Sequence, residues 1–447
     1  MAAFLLTLPL VTPKIRGADE IEYFSYLPSL VFDHDLDFGD EYRHFHDRDP
    51  EGLAGFKATF LDRREPATGR HINFGPVGSA LLWSPFYLVA HAATLFARAL
   101  GAGVPADGLS WPYQAAAGYA SALYGFFGLL LARGTLVRFG GWADAAATPS
   151  VLALWLGTPV FYYMTVAPGF AHANSLFAVS LLVWAWLWAR ARADAATPRD
   201  WALVGLAGGL CGLIREQDAL FLALPALWLA YEALRTGAWR RGLLRALALG
   251  AAAFLAMVPQ LFVYRALTGR FGPSRLVTRK VSYGSPHFFE VLFDPAHGLY
   301  AWAPLLLLAT AGLLLALWRR RDAVTALLAL GLLLQVWING ALESWTQAGA
   351  FGSRRFVAAT PLFAWGLAAL LQAAPARLGR GPAAAVVALF AWWNVSLMVQ
   401  FGLRLMDRQR LEWPEVAVNQ FTAVPPRLAR VAVLFFTDRE RLVREAP

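Results

Sequence analysis

Apolar runs separated by short polar breaks make up most of this chain. Runs of eighteen residues or more with almost no charge recur near 112–132, 149–166, 172–190, 217–234, 243–264, 301–318, 323–341, 356–374 and 382–402. A helix needs about 20 such residues to cross a bilayer's hydrocarbon core, so each run predicts a membrane span. Shorter pieces lie at 2–12 and 201–213. At ~1.5 Å per residue the first covers only about half a bilayer, which predicts a span whose beginning precedes residue 1. It has neither a basic n-region nor a small-residue cleavage site, so it does not read as a signal peptide.

Basic residues fall between these runs: Arg133 and Arg138; Arg190, Arg192 and Arg199; Arg235, Arg240, Arg241 and Arg245; Arg319, Arg320 and Arg321; Arg377 and Arg380. Lys and Arg are retained on the cytoplasmic side of membranes, which predicts that all these clusters share that side. The first periplasmic loop then covers 13–111 with juxtamembrane helices, and a second large one covers 265–300. Within the first, residues 76–100 are long enough to span, but counting them as a span would put Arg133 and Arg138 outside. They are expected to lie in the interface or to re-enter, with Trp83, Tyr87 and His91 at headgroup depth. The transmembrane domain should run over 1–402, leaving 403–447 as a short C-terminal tail.

Composition agrees with this picture: 58% of residues are hydrophobic and 15% charged, against roughly 45–50% and 25% in soluble domains. The formal charge of +9 comes largely from arginines in short clusters between apolar runs, which argues against nucleic acid as a partner and leaves membrane lipids. Cys211 stands alone, so there is no disulfide or cysteine metal cluster within the chain. No repeat of 20–50 residues and no inverted halves are visible.

Candidate chemistry gathers in residues 17–49, GADEIEYFSYLPSLVFDHDLDFGDEYRHFHDRD. Asp19, Glu20 and Glu22 abut the first apolar piece, where desolvation raises carboxyl pKa values and suits a general base. Asp33, Asp35, Asp37, Asp40 and Glu41 follow, and a solvated acidic loop explains that distal run equally well. Arg354 and Arg355 immediately precede a span and Arg215 closes a short apolar piece. A guanidinium there can bind phosphate oxygens bidentately, although arginines at helix ends also anchor to headgroups. Arg270, Arg275, Arg279 and Lys280 add positive charge to the second outer loop. His34, His44 and His46 with Asp33, Asp35 or Asp47 offer ligands to a divalent ion, but surface histidines are common without one, and no metal or other cofactor is favoured. His172 and His297 begin outer helices, and Trp302 and Trp345 are placed to stack on a sugar face.

A membrane helix ending in an Asp-Glu pair, followed by an outward loop with interfacial helices, resembles the GT-C superfamily, in particular bacterial relatives of the protein O-mannosyltransferases and aminoarabinose transferases. Residues 69–91, GRHINFGPVGSALLWSPFYLVAH, are similar to the juxtamembrane segment where those enzymes carry Lys-Pro-Pro-Leu, here replaced by HINFGP from His71. Residues 205–218, GLAGGLCGLIREQD, resemble their broken helix ending in a basic residue, and 297–304 and 345–356 resemble motifs of multipass members. About 45 residues follow the last span, so neither the large soluble domain of oligosaccharyltransferases nor protein N-glycosylation is expected.

The expectation is therefore an all-α polytopic membrane bundle of about 11 to 12 helices, GT-C-like, in a bacterial inner membrane. Its expected activity is inverting transfer of a sugar from a polyprenyl-phosphate carrier to a lipid, glycan or protein acceptor on the periplasmic face. Asp19 would be the base, and Glu20 would orient the acceptor or the interfacial helix. Arg215, Arg354 and Arg355 would hold the donor phosphate, and His71, Asp33, Asp35, His172, His297 and Trp345 would contact substrate. The rival from another class is a transporter or flippase of a lipid or small solute, which predicts polar residues deep in several spans. A non-catalytic scaffold predicts no convergence of Asp19, Arg215 and Arg354. The sugar, the acceptor and the oligomeric state have no signature in the sequence.

Overall fold

A computed structural model describes residues 1–347, 349–375, 378–438 and 441. Arg377 and the end of the tail lie outside the described residues. The described residues form helices joined by loops, with two isolated β-bridges and no strand. In chain order the helices are α1 Ala2–Thr7, α2 Ala18–Pro28, α3 Gly39–His46, α4 Gly78–Ala99, α5 Trp111–Arg138, α6 Asp144–Leu156, α7 Pro159–Thr165, α8 His172–Ala191 and α9 Pro198–Ile214. There follow α10 Ala223–Thr236, α11 Trp239–Thr268, α12 Pro304–Arg320, α13 Ala323–Gly340, α14 Thr360–Gln372, α15 Gly381–Gly402, α16 Trp413–Thr422 and α17 Pro425–Thr437. One-turn helices in the loops complete the set. The protein is an integral, multi-pass membrane protein: among the described residues eight helices are long and apolar enough to cross a bilayer, or nine when α6 and α7 count as one span. α1, α9 and α12 fall short of the eighteen residues that this count requires.

Each predicted run appears as helix, with breaks where the sequence supplies a breaker. The run at 149–166 is split by Gly157 and Thr158, and the pair bends by 65°. Pro159 opens the second half, and the Thr158 hydroxyl accepts from the Val160 N–H as its cap. The runs at 217–234 and 356–374 each begin with a 3-10 turn, Glu216–Leu222 and Arg354–Ala359, so both enter the bundle through a tightened segment that carries or adjoins charge.

Lipid-embedded helices gain no hydrophobic drive from packing on one another, so small residues that admit close contact set their crossings. At the α9–α11 crossing a Cβ on Gly205 would stand 2.1 Å from the Leu249 carbonyl oxygen. At the α12–α14 crossing a Cβ on Gly312 would stand 2.0 Å from the Gly366 oxygen, and one on Gly366 2.0 Å from the Ala309 oxygen. The backbones therefore touch, and α14, entered through Arg354 and Arg355, has its position fixed there.

Gly78–Ala99 form the unbroken helix α4, with Pro85 absorbed without a break, so the re-entrant alternative is corrected; by length and apolarity the helix is one of those that can cross a bilayer, which the interfacial expectation did not allow for. α4 runs antiparallel to the first half of α5. Trp83 Nε1 donates to Ser121 Oγ (2.8 Å), Tyr124 Oη to the Leu82 carbonyl (3.2 Å), and His91 Nδ1 meets Tyr113 Oη at 2.7 Å. Its first turn meets the first turn of α8, where Asn174 Nδ2 donates to Ser79 Oγ (3.2 Å). The second half of α4 thus reaches the end of the bundle where α5 begins, away from Arg133 and Arg138, while its first turn lies level with Ser121 of α5 and the first turn of α8. Leu88, Val89 and Phe96 face outward.

At the opposite end the basic loops gather. Arg133 pairs with Asp144 (2.5 Å), Arg245 with Glu232 (3.0 Å) and Arg320 with Asp322 (3.0 Å), while Arg320 Nη1 also donates to the Gly140 carbonyl at 2.7 Å. The region expected to be a plain tail folds into α16 and α17, with Trp413 stacked on Trp393 of α15.

Candidate functional site

The site is assembled on the first turn of α2. Glu20 holds that turn in place: its Oε2 accepts from the N–H groups of Arg16 and Gly17 (2.8 Å each), half of a capping box. Its Oε1 accepts from Gly169 N–H in the turn before α8 at 3.2 Å. Burial, partly offset by these bonds, raises the Glu20 pKa to about 7. All its hydrogen bonds go to backbone, so of the two expected roles, orienting the acceptor or orienting the interfacial helix, these contacts fit the second.

The next turn is fastened by Glu22, whose Oε1 accepts from Phe74 N–H at 2.6 Å while its carbonyl accepts from Asn73 Nδ2 at 2.9 Å. Tyr26 Oη donates to the Gly75 carbonyl (2.8 Å) and Tyr42 Oη to that of Ile72 (3.0 Å). The HINFGP segment is therefore a strap that clamps α2 and α3. Glu22 is buried, and burial, reinforced by the charge of Asp19, pushes its pKa well above the ordinary carboxyl value.

Asp19, held between these two fasteners, points the other way. Its carboxylate forms an ion pair with Arg354 Nη1 at 2.8 Å and remains 40% exposed. Arg354 lies over the Phe170 ring, 5.0 Å from the centroid, in cation–π contact. Arg355 reaches Ser344 Oγ (2.9 Å), and its backbone N–H donates to Gln347 Oε1 (3.3 Å). Arg215 comes from the break between α9 and α10, donating from Nη1 to His172 Nδ1 at 2.5 Å and from Nη2 to Gln217 Oε1 at 3.3 Å. His172 is buried, edge-on to Tyr163 and parallel to Phe170. The charges of Arg215 and Arg354 both bear on Arg355, and Asp19, Glu22, Arg215 and Arg354 all bear on the Tyr23 hydroxyl. Three guanidinium groups, one carboxylate and one phenol from α2, the α9–α10 break and the entry to α14 thus share one spot. A spot of this composition can hold an oxyanion with a carboxylate beside it.

Several expected contacts lie elsewhere. His71 Nδ1 sits against the Asp37 carboxylate and 2.9 Å from Arg64 Nη1, its ring edge-on to Tyr42, so it locks the strap rather than meeting the arginines. Asp35 accepts from Ser29 Oγ and Asp37 N–H, a local turn contact. His297 donates from Nε2 to the Ala350 carbonyl (2.6 Å) and stacks on Trp302 at 4.8 Å. Trp302 is itself 2% exposed and donates to the Pro295 carbonyl, so neither ring is open to a sugar. Trp345 is half-buried against His287 and adjoins Ser344, the partner of Arg355, which keeps it at the rim.

Asp33, Asp40 and Glu41 bring carboxylate oxygens within 4.8 Å of one another, a possible cation cradle. The histidines expected to join it are engaged otherwise, His34 with the Leu30 carbonyl and His46 with Asp47. Burial, with the charges of Asp40 and Asp33, raises the Glu41 pKa to about 9. The residues that sequence reading left unassigned are Tyr23 and Phe170. One helical turn of spacing from Asp19 signals Tyr23, whereas no local signal marks Phe170.

No family model matches the chain, and no curated protein matches it. Solved structures do: that of ArnT from Cupriavidus metallidurans bound to undecaprenyl phosphate superposes with a TM-score of 0.51 at 17% identity, covering 100% of this chain and 75% of that one. ArnT in the apo state superposes with a TM-score of 0.48 at 17% identity, covering 100% and 76%. At 17% identity that likeness is one of fold, and the chain shares the fold of the ArnT structure over its whole described length.

Proposed function

We propose that this chain is an inverting glycosyltransferase that moves a sugar from a polyprenyl-phosphate carrier to an acceptor hydroxyl at the periplasmic face. The observation that carries the proposal is the meeting of Arg215, Arg354 and Arg355 with Asp19, residues up to 336 positions apart, at the end of the bundle away from the basic loops. A lipid-linked sugar keeps its tail in the bilayer and its phosphate at the surface, so its enzyme needs cations and a base at that depth. The carrier seen in the ArnT structure is of this chemical class.

In this mechanism the acceptor O–H gives its proton to the Asp19 carboxylate as its oxygen attacks the anomeric carbon. The bond from that carbon to the phosphate oxygen breaks on the opposite face, its electron pair goes to the phosphate, and the configuration inverts. Charge develops on the leaving phosphate, where the guanidinium groups stabilise it most. In the structure Arg354 already neutralises Asp19. An arriving phosphate competes for Arg354 and releases the carboxylate to act as a base only when donor is present.

The test is transfer by purified protein in liposomes supplied with a total lipid-linked sugar extract, following release of polyprenyl phosphate. Release that depends on Arg215 and Arg354 supports the assignment. If the wild-type chain moves the lipid between leaflets and leaves the carrier-to-sugar bond intact, the transporter stands in its place.

A further inference from the structure

A cavity of about 520 Å³ opens on the other side of the α2 start from the arginines. Its size falls within the roughly 300–1,000 Å³ typical of ligand sites. Its apolar wall comes from Val395, Met398 and Phe401 of α15 and from Val431 and Phe435 of α17. Lys14, Arg16 and Arg408 line it too, and Arg408 lies over the Phe401 ring at 4.6 Å. Glu20 and Gly17 belong to the same lining, as does Phe170, whose ring carries Arg354. The cavity is thus separated from the Asp19–Arg354 pair by one aromatic ring and one residue of α2. α17 exposes Val433 and Phe436 beside the two residues it turns to the cavity, as a helix lying in the bilayer interface does.

An apolar trough lined also by three cations matches an anionic amphiphile. We propose that this cavity is a second lipid site, separate from the arginine cluster, which takes an acyl chain of an anionic phospholipid of the surrounding bilayer while Lys14, Arg16 and Arg408 pair with its headgroup phosphate. The bound chain packs against the capped start of α2, and so couples bilayer composition to the placement of Asp19. This site does not depend on the transfer reaction, and its test does not use that reaction.

The full chain is reconstituted in phosphatidylcholine nanodiscs containing a trace of phosphatidylglycerol with a photoactivatable acyl chain, and the cross-linked peptides are mapped by mass spectrometry. A phosphatidylcholine bearing the same chain is the control. Each cation near an anionic lipid surface contributes roughly fivefold to binding. Phosphatidylglycerol should therefore label 395–403 and 431–435 at least about fivefold more than the control, and Arg408→Glu, at an exposed position, should lower that preference by about fivefold or more. Met398→Trp should fill the trough and remove labelling by both lipids, whereas Arg354→Ala should leave labelling unchanged. Equal labelling by the two lipids overturns the headgroup assignment. Displacement of the label by excess undecaprenyl phosphate overturns the separateness of the site, because the cavity then houses the carrier's own chain.

Discussion

Replacing Asp19 by Asn keeps the shape of the side chain and removes its ability to accept a proton. Two losses follow, and the structure separates their sizes. The ion pair with Arg354 is 2.8 Å long, but Asp19 is 40% exposed. Ion pairs with that access to water contribute about 0.2–1 kcal/mol, so folding and membrane insertion should change by less than about fivefold in equilibrium. Loss of the general base should cost ~10²- to 10⁴-fold in transfer, about 2.7–5.5 kcal/mol in the barrier. The assay is release of polyprenyl phosphate in proteoliposomes at matched protein content, with thermal unfolding of the same sample measured alongside. Donor affinity should hold or rise in Asp19→Asn, since Arg354 is freed for phosphate. Near wild-type transfer refutes the role of Asp19, and a fall in transfer that merely follows a fall in stability assigns Asp19 to structure. Glu20→Gln should show that second pattern, because its partners are three backbone N–H groups.

Arg355→Ala should weaken donor use by roughly 10- to 100-fold, the effect of one charge-assisted phosphate contact, with normal insertion; unchanged turnover in Arg355→Ala and in the double variant with Arg354→Ala reduces both to anchors. A cysteine at Ala102, in the loop joining α4 to α5, should react from the periplasm with a membrane-impermeant thiol reagent, and one at Arg320 should not; Cys211 is buried and gives no background. Labelling at Arg320 alone would invert the topology. For Glu41 the folded pKa is raised from 4.5 to about 9, so its contribution to stability is whole below about pH 4.5 and is lost as pH rises through about 9. After division by the base-catalysed intrinsic rate, hydrogen-exchange protection in 39–46 should fall between about pH 7 and 9.5 in the wild type, as the linkage demands, and stay level in Glu41→Gln; equal loss of protection in both would place the titration elsewhere.

The helices were legible because an apolar run long enough for a bilayer has few alternatives, and because proline and glycine mark the break between α6 and α7. The gathering of the basic loops at one end followed from charge placement alone. The site was legible in part. Arg215, Arg354 and Asp19 each stand at the edge of an apolar run, a position visible one residue at a time. Their meeting is a tertiary fact, since Asp19 and Arg354 are 335 residues apart. His71 and His297 misled because the partners that claim them, Asp37 with Arg64 and the Ala350 carbonyl, are set by loop folding that no spacing rule encodes. Glu20 was read as chemistry because it neighbours Asp19, yet successive helical residues point about 100° apart. One faces the arginines while the other ties down the helix start.

The contact between Gly312 and Gly366 makes α14 a lever. From Gly366 to Arg354 is twelve residues, roughly 18–20 Å of helix. Neither backbone can retreat at the fulcrum, where an added Cβ would meet a carbonyl oxygen at 2.0 Å. A methyl group there must tilt one helix, and a tilt of roughly 10° carries the tip through about 3 Å, the whole length of a hydrogen bond. The aim of both arginines is therefore set a dozen residues away, inside the helix bundle, by two residues that have no side chains. Gly366→Ala should misalign the arginines while substituting none of the residues around Asp19.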